Sequence, residues 1–213
     1  MNQTTTSLRW KRRKESRPAE LLEAAMAVFA EKGFASARLD DIAARAGVSK
    51  GTIYLYFDSK EAILRAMITA IPVSMLDGIA QLAASDTSPA DATLGKVFQL
   101  IGAAMRNPVL MQFPRLVIGE SGNFPWIAEI YHKEVISRGI AILSGIISRG
   151  VEQQRFRAVD PRHAAFAAMA PMLFVAIWKT TFERFDRTPF DAQGFIDQHV
   201  ETFVRGLLRG GVS

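Results

Sequence analysis

Apolar side chains recur at the spacing of an α-helix from Pro18 onward. The first stripe, which ends before Gly33, consists of Leu22, Ala25, Met26 and Phe29. This i, i+3, i+4, i+7 pattern predicts a helix with one buried face, because the apolar residues then share one side. Proline suits the first turn of a helix and glycine its end, so we predict a helix over residues 18–33.

Two shorter helices are predicted next. The apolar stripe of the second helix consists of Leu39, Ile42, Ala43 and Ala46. Asp40 and Asp41 lie in its first turn, where carboxylates stabilise the positive end of the helix dipole. A turn at Gly47 follows, and Ser49 is placed to cap a third helix over residues 50–57.

Helical spacing continues through the rest of the chain. Pro72 should kink the helix that begins after Asp58 or Ser59 and reaches about residue 84. Further helices are predicted over residues 90–105, 107–120, 124–154, 160–185 and 191–209. No stretch alternates apolar and polar positions at a period of two, so the sequence predicts an all-α protein.

One apolar run affects the choice of protein class. Residues 164–178 carry no charge, but this run is shorter than the roughly 20 residues that a helix needs to cross a bilayer. A helix that is apolar on all sides is typical of a core or a subunit interface. We therefore expect no membrane span here.

The net charge and the amino-acid composition further limit the functions that the sequence allows. Residues 1–17 hold six basic side chains and one acidic, and the 20 basic and 20 acidic side chains of the remainder cancel, so this segment accounts for the net charge of +5. We predict a basic disordered arm there, either a solvated tail or a DNA-contacting one. The absence of cysteine excludes disulfides and thiolate metal sites, and no apolar signal segment opens the sequence, so we expect a cytoplasmic protein.

The predicted third helix has an unusual surface. Ile53 and Phe57 would hold it to the core, which leaves these residues for its other faces: Lys50, Gly51, Thr52, Tyr54, Leu55 and Tyr56. Two helices joined by a glycine turn predict a helix-turn-helix, whose second helix must enter a major groove about 12 Å wide. Tyrosine rings pack on sugar while their hydroxyls donate to phosphate, so this surface favours DNA binding.

The segment LLEAAMAVFAEKGFASARLDDIAARAGVSKGTIYLYFDSKEAIL, residues 21–64, resembles the N-terminal domain of the tetracycline-repressor-like (TetR/AcrR) family of bacterial transcription regulators. The resemblance implies a three-helix DNA-binding domain, a larger helical regulatory domain, a homodimer and, commonly, a small-molecule inducer. The segment FPRLVIGESGNFPWIAEIYHKEV, residues 113–135, resembles the regulatory domain of the AefR-like subgroup. We therefore expect the arm over residues 1–17, the DNA-binding domain over 18–62 and the regulatory and dimerisation domain over 63–213.

The resemblance also assigns DNA-contacting residues. Gly51 and Thr52 would approach base edges, and the remaining contacts, mostly to phosphate, would come from Lys50, Tyr54, Tyr56 and Lys60. The family usually has two threonines before the second helix, where this sequence has Ala37 and Arg38. Arg38 has no acceptor atom, so either Ser36 or water caps that helix, or the cap is lost at a cost of roughly 1 kcal/mol. The guanidinium of Arg38 can replace the lost phosphate contact.

The regulatory domain offers large apolar side chains at helical spacing, which suit either a ligand pocket or a subunit interface. For the pocket we expect Met105, Phe113, Trp126, Met169, Met172 and Trp178. The family's dimer contact uses the last two long helices, and there we expect Phe166, Phe174, Phe195, Val200, Phe203 and Leu207. No metal site or cofactor is predicted.

The function expected from these features is a repressor that binds a palindromic double-stranded DNA operator as a dimer and is released by a small organic effector. An activator or a co-repressor-dependent regulator of the same fold is the alternative. An enzyme would need an acid–base or metal constellation, and the three histidines are scattered. A helical adaptor with a degenerate helix-turn-helix would not need the polar set from Lys50 to Lys60.

Overall fold

A computed structural model describes the backbone of residues 3–210 and the side chains of residues 18–210. The chain divides into two compact units between Ala70 and Ile71, eight residues beyond the predicted boundary. We call them the N-terminal unit and the C-terminal unit. The described residues form helices throughout, apart from turns and one isolated β-bridge between Phe156 and Leu208. The all-α prediction is confirmed.

The described residues of the N-terminal unit form four α-helices. They are α1 (Gln3–Ser36), α2 (Leu39–Arg45), α3 (Lys50–Tyr54) and α4 (Lys60–Ile68). Gly33 interrupts α1 with a φ of 76°, and Gly47 makes the turn between α2 and α3 with a φ of 64°; both angles favour glycine. Where α1 extends over residues 3–17 the sequence predicted an irregular arm, and its charged side chains lie outside the described residues.

The apolar stripes predicted for these helices meet in one core. Its fully buried side chains include Leu21, Phe29, Phe34, Ile42, Ile53, Ile63, Leu64, Met67 and Ile68. The rings of Phe29 and Phe34 meet edge to face at 5.1 Å, which brings the chain after Gly33 back against α1. Because α4 contributes four of these residues, it belongs to the N-terminal unit, beyond the predicted limit at residue 62.

The C-terminal unit contains seven α-helices among its described residues. They are α5 (Ser74–Ser85), α6 (Ala90–Ala104), α7 (Pro108–Glu120), α8 (Pro125–Tyr131), α9 (Ser137–Glu152), α10 (Pro161–Ile177) and α11 (Ala192–Leu207). Pro72 lies in a π-helical turn, Thr69–Val73, which accommodates the predicted kink. Two further π-turns, His132–Ile136 and Trp178–Phe182, follow α8 and α10 and were not predicted.

The core of the C-terminal unit centres on α9, which packs against α5, α6 and α10. Its buried residues include Val97, Phe98, Leu143, Ile147, Phe156, Ala165, Ala168, Met172, Val175 and Ile196. A Cβ added to Gly150 would lie 2.1 Å from Cδ2 of Phe156, so glycine is required where this ring crosses α9. Backbone bonds hold the same turn to the end of α11: the N–H of Arg157 donates to Leu207 O at 2.8 Å, and that of Arg209 to Arg155 O at 2.9 Å.

A polar cluster fixes the loop between α5 and α6. Asp86 accepts hydrogen bonds from the Lys96 ammonium at 3.0 Å and from the Thr93 hydroxyl at 3.0 Å. Thr93 is fully buried and also accepts from the Arg149 guanidinium at 3.0 Å. Contacts with Ser88 and with Lys96 hold the pKa of Asp86 well below its usual value, because they stabilise its charged form.

Two helical stretches of the described residues, Lys60–Ser85 and Pro161–Phe185, are long and apolar enough to cross a membrane by length and composition. The expectation of no membrane span was drawn from the 15-residue run alone, and the helical stretch that contains this run is longer, at 25 residues. Length and composition do not distinguish a membrane span from a helix that packs in a core or a subunit interface.

Candidate functional site

Helix α3 is held in a defined position by its first residues. Ser49 Oγ accepts the N–H of Thr52 at 3.1 Å and lies 2.8 Å from Thr52 Oγ1, which confirms the predicted cap. The α-helix ends at Tyr54, earlier than predicted, but the chain continues as a tight turn in which the N–H groups of Tyr56 and Phe57 both donate to Ile53 O at 3.0 Å. Residues 50–57, which the sequence placed in one helix, therefore form a continuous helix and turn.

The solvent-facing side of α3 and of the turn after it carries both apolar and polar side chains. Ile53 is fully buried, whereas Leu55 is 82% exposed and Tyr54 is 47% exposed. Gly51 is exposed, and Thr52 and Tyr56 are half-buried. Large side chains displayed in this way on a short helix indicate a surface that contacts a partner.

Lys50 is paired with an acidic side chain of α2. Its Nζ donates to Asp40 Oδ2 at 2.9 Å, and both side chains are more than half exposed. The hydrogen bond to Asp40 and the charge of that carboxylate raise the pKa of Lys50. The sequence analysis assigned Asp40 only to the helix dipole, because spacing along the chain does not show which side chains of two packed helices meet.

Arg38 is the N-cap residue of α2, and its side chain is exposed. An arginine side chain cannot accept a hydrogen bond, and no other side chain among the described residues caps the N–H groups in the first turn of α2. Ser36 therefore does not take over this role, and the bond that is made is from the N–H of Arg38 to Asp41 Oδ2, at 3.2 Å. Lys32 lies 2.8 Å from Asp41, and its hydrogen bond is the main cause of the lowered pKa of that carboxyl.

Lys60 makes contacts within the N-terminal unit that the sequence did not predict. Its ammonium donates to the carbonyls of Phe34 and Ala35, both at 2.7 Å, and of Ala37 at 3.3 Å. It also lies 4.9 Å from the centre of the Phe34 ring. All three protons of the ammonium are therefore used inside the N-terminal unit, where they satisfy carbonyls at the end of α1. A phosphate contact would have to break these bonds.

The C-terminal unit contains a cavity of about 780 Å³. Its apolar lining consists of Met105, Pro108, Met111, Val175, Phe190, Ala192 and Ile196. Its polar lining consists of Arg106, Gln112, Arg115, Lys179, Thr180, Asp191 and Gln193. A second, smaller cavity of about 430 Å³ shares Gly102, Arg106, Gln193 and Ile196 with it and continues between α6 and α11. The volumes fit ligands of drug size.

Met105 alone of the six predicted pocket residues lines the larger cavity. Phe113 is fully buried and stacks on Tyr131 at 6.1 Å, and Met172 is buried in the core. Met169 packs against the core, and Trp126 lines neither cavity. Trp178 belongs to an aromatic cluster with Phe174, Phe182 and Phe190, and its Nε1 donates to Asp186 at 2.8 Å. A sequence does not distinguish apolar side chains of the core from those that line a cavity. This explains why the predicted set differs from the observed lining.

An apolar surface runs along α10 and reaches α11. Its exposed members are Phe166, Leu173, Phe174, Phe182, Phe185 and Phe195, each at least 36% exposed. We call this set the α10–α11 surface. Three of them were predicted for the dimer interface, whereas Val200 and Phe203 are half-buried against the core. Leu207 is buried in the core of its own unit and cannot contribute; Leu208 is exposed in its place.

No group of three or more potential metal ligands occurs among the described residues. A helix-turn-helix that exposes Tyr54 and Leu55, joined to a second helical unit that holds a cavity, defines a DNA-binding regulator with a ligand-binding unit. Residues 21–67 match the model of the bacterial regulatory proteins of the tetR family, and residues 92–209 match that of the AefR-like transcriptional repressor C-terminal domain. The chain belongs to the TetR family of transcriptional regulators, with an AefR-like C-terminal domain.

Relatives agree with this assignment. Over 207 residues the chain is 25% identical to the HTH-type transcriptional regulator RutR of Escherichia coli (strain K12), and the match covers 89% of this chain and 88% of RutR. A stretch of 58 residues is 45% identical to the uncharacterized HTH-type transcriptional regulator YfiR of Bacillus subtilis (strain 168). That match spans 27% of this chain and 28% of YfiR.

Among solved structures, the regulator FadR of Bacillus subtilis in complex with stearoyl-CoA superposes with a TM-score of 0.67 at 23% identity. The superposition covers 89% of this chain and 98% of FadR. Similarity at this level of identity establishes the shared fold, which confirms the predicted order of a helix-turn-helix domain followed by a larger helical domain.

Proposed function

We propose that the protein binds a palindromic DNA operator as a homodimer, represses transcription from it, and is released by a small organic effector. The exposed surface of α3 carries this proposal, because it combines rings, hydroxyls and a cation on a helix short enough to enter a major groove. Because regulators of the TetR family act on DNA, we also propose a cytoplasmic location.

The DNA contacts are divided by the position of each side chain. Gly51 and Thr52 lie at the start of α3, where the backbone can approach base edges. Tyr54 and Tyr56 would pack on sugar and donate to phosphate, and Leu55 adds exposed apolar area. Arg38 would contact phosphate beside them. Lys60 is removed from this set because its protons are already bonded to carbonyls.

A dimer is proposed for two reasons. One helix of five residues reaches only a few base pairs, so specificity requires two half-sites, about 34–36 Å apart. The α10–α11 surface supplies the second reason, since six large apolar side chains exposed on adjoining elements exceed what a monomer usually displays. A two-fold contact through this surface would cover them.

The effector would bind in the cavity of the C-terminal unit, whose floor of methionine, valine and isoleucine suits an organic molecule. FadR, the neighbour solved with stearoyl-CoA, supports an effector with an apolar portion. Binding would favour a dimer whose α3 helices no longer match the half-site spacing. A coupling of about 1–3 kcal/mol would weaken operator binding about 5- to 150-fold.

The direct test is selection of DNA by the purified protein. Sheared DNA from the source organism is mixed with the protein at moderate salt, and the retained fragments are sequenced. Recovery of one short inverted repeat supports an operator-specific dimer, and a Tyr54→Ala variant should lose that enrichment while it unfolds at the same temperature. Equal recovery of all sequences would contradict the proposal. Transcription from the recovered fragment, with and without the protein, then distinguishes a repressor from an activator.

A further inference from the structure

The charged residues at the larger cavity are unevenly distributed. The cationic lining residues are Arg106, Arg115 and Lys179, and the acidic one is Asp191. These side chains surround an apolar floor formed by Met105, Met111, Val175, Phe190 and Ile196. The character of the cavity therefore depends on which of the four charges are free to meet a ligand.

Two of the four charges are already engaged. Lys179 donates to Glu183 Oε1 at 2.5 Å, and the same oxygen accepts the N–H of Phe190 at 3.1 Å. This hydrogen bond is the main reason why the pKa of Glu183 is lowered. Asp191 caps α11, where its Oδ1 accepts the N–H of Gly194 at 3.0 Å, so the positive end of that helix balances its charge.

The two guanidinium groups are the remaining charges. Arg106 is exposed and has no acidic partner among residues 18–210. Arg115 is also exposed; its NH1 donates to Thr180 O at 3.0 Å, which holds the side chain at the cavity with a neutral partner. A guanidinium binds carboxylate or phosphate oxygens through two parallel hydrogen bonds.

The apolar part of the cavity is elongated. Arg106 and Ile196 line both cavities, and the smaller one continues along α6 and α11 past Phe98 to Val200. Its lining also includes the polar side chains Gln99 and Asp197, and the carboxylate of Asp197 accepts a hydrogen bond from Gln193 Nε2 at 2.8 Å. A Cβ added to Gly102 would lie at ordinary contact distance, 3.8 Å from Gln193 and 3.9 Å from Ile196, so α6 and α11 pack against each other here and the two cavities meet beside this contact. A chain-like apolar group fits such a groove better than a compact one.

We propose that the effector is an anionic amphiphile: an apolar chain that lies along the groove between α6 and α11, with a carboxylate or phosphate bound by Arg106 and Arg115. This inference rests on the proposed effector-binding function and names its ligand class. The juxtaposition of an apolar floor with two guanidinium groups carries it.

Four probes that share an eight-carbon chain test the proposal on the full chain by isothermal titration calorimetry: octanoate, octyl phosphate, octanol and octyltrimethylammonium. We expect at least one anion to bind about tenfold or more tightly than octanol, and the cation to give no heat of binding. The comparison of octanoate with octyl phosphate identifies the headgroup. Equal affinities for anion and cation, or no binding of either anion, would overturn the proposal.

Matched variants assign the effect to the two arginines. Arg106→Gln and Arg115→Gln should each lower the affinity for the anion about tenfold and leave that for octanol unchanged. Arg187→Gln, at an exposed position of the loop before α11 that does not line the cavity, is the control and should change neither. Wild-type affinity of both cavity variants for the anion would show that the arginines do not bind it.

Binding of the recovered operator is measured in the same samples. Anion binding that leaves operator affinity unchanged supports the ligand class and contradicts release by the effector. Conversely, a protein that binds DNA but none of the anions keeps its DNA-binding function and loses this ligand class. The two proposals can therefore fail separately.

Discussion

The ammonium of Lys50 lies 2.9 Å from the carboxylate of Asp40, so the cation at the start of α3 is neutralised in the DNA-free protein. The pair joins α2 to α3 on the exposed side of the N-terminal unit. DNA phosphates would therefore compete with Asp40 for Lys50. We therefore expect Asp40 to lower DNA affinity by holding Lys50 in the DNA-free protein.

Removing the competitor should strengthen binding. We expect Asp40→Asn to raise DNA affinity about two- to fivefold, since exposed ion pairs contribute ~0.2–1 kcal/mol. If Lys50 gains a phosphate contact, the slope of log affinity against log salt should steepen by about 0.9. Fluorescence anisotropy over a salt series measures both quantities. In a Lys50→Met background the effect should disappear; an increase that persists there would assign it to some other interaction of Asp40.

Replacement of Lys60 should mainly lower stability, whereas replacement of Lys50 should mainly weaken DNA binding. Lys60→Met removes hydrogen bonds to three carbonyls of the N-terminal unit, and we expect it to lower the free energy of unfolding by about 2 kcal/mol. Lys50→Met removes an exposed pair and should cost under about 1 kcal/mol while weakening DNA binding. Urea unfolding followed by circular dichroism gives the first quantity and anisotropy the second. A folded Lys60→Met protein of unchanged stability and reduced DNA affinity would restore the phosphate role.

A substitution at Gly51 should weaken DNA binding without destabilising the fold. A Cβ added there meets only Ser49 Oγ, at 3.9 Å, so Gly51→Ala fits the structure and should stabilise α3 by up to about 1 kcal/mol. The new methyl group would nevertheless occupy the space between α3 and the base edges, so operator affinity should fall at least tenfold. Gly78→Ala in α5, which also meets open space, is the control. Unreduced affinity for Gly51→Ala would move the base contact elsewhere.

The α10–α11 surface predicts the oligomeric state. Phe174→Glu places a carboxylate in the proposed interface, where an unpaired charge costs several kcal/mol, and we expect a monomer by analytical ultracentrifugation. Ile118→Glu introduces the same change at a 58% exposed residue of α7, outside this surface, and should remain dimeric. A dimeric Phe174→Glu protein would place the subunit contact on another face.

The polar cluster around Asp86, in the loop between α5 and α6, predicts that the stability of the protein depends on pH. The pKa of Asp86 in the folded state lies below its ordinary value of 3.8, so its contribution to stability is present above about pH 4 and is lost as pH falls through the folded pKa. Asp86→Asn should be less stable than the wild type near neutrality. The difference in melting temperature between the two should shrink steadily below pH 4. A constant difference down to pH 2 would show that the charge of Asp86 contributes nothing.

The helices were predictable because each has an apolar stripe and local end signals. Ser49, Gly47 and Pro108 start or stop helices through their own backbone preferences, so the sequence alone locates those boundaries. The π-turn at His132–Ile136 escaped prediction because it inserts into a continuous helical pattern without proline or glycine. Secondary structure is thus encoded locally, apart from such irregular turns.

The site was predictable in part, for a related reason. The outward residues of α3 follow from the period of one helix, whereas the partners of Lys50 and Lys60 come from other helices. The cavity depends on the distances between α6, α7, α10 and α11. The apolar pattern of a single helix does not determine these distances. Arg106 and Arg115 were accordingly not singled out from the sequence, and only the structure places them beside an apolar floor.

The turn that carries Phe156 has a consequence for biosynthesis. Its ring occupies the space above Gly150, and its flanking backbone is bonded to Leu207 and Arg209, so the C-terminal unit cannot close until residues 207–209 have been synthesised. The core of the N-terminal unit is complete by Ile68. Domains fold as units during translation, N-terminal ones first. The DNA-binding part can therefore form on the ribosome while the half that would control it is still unfinished.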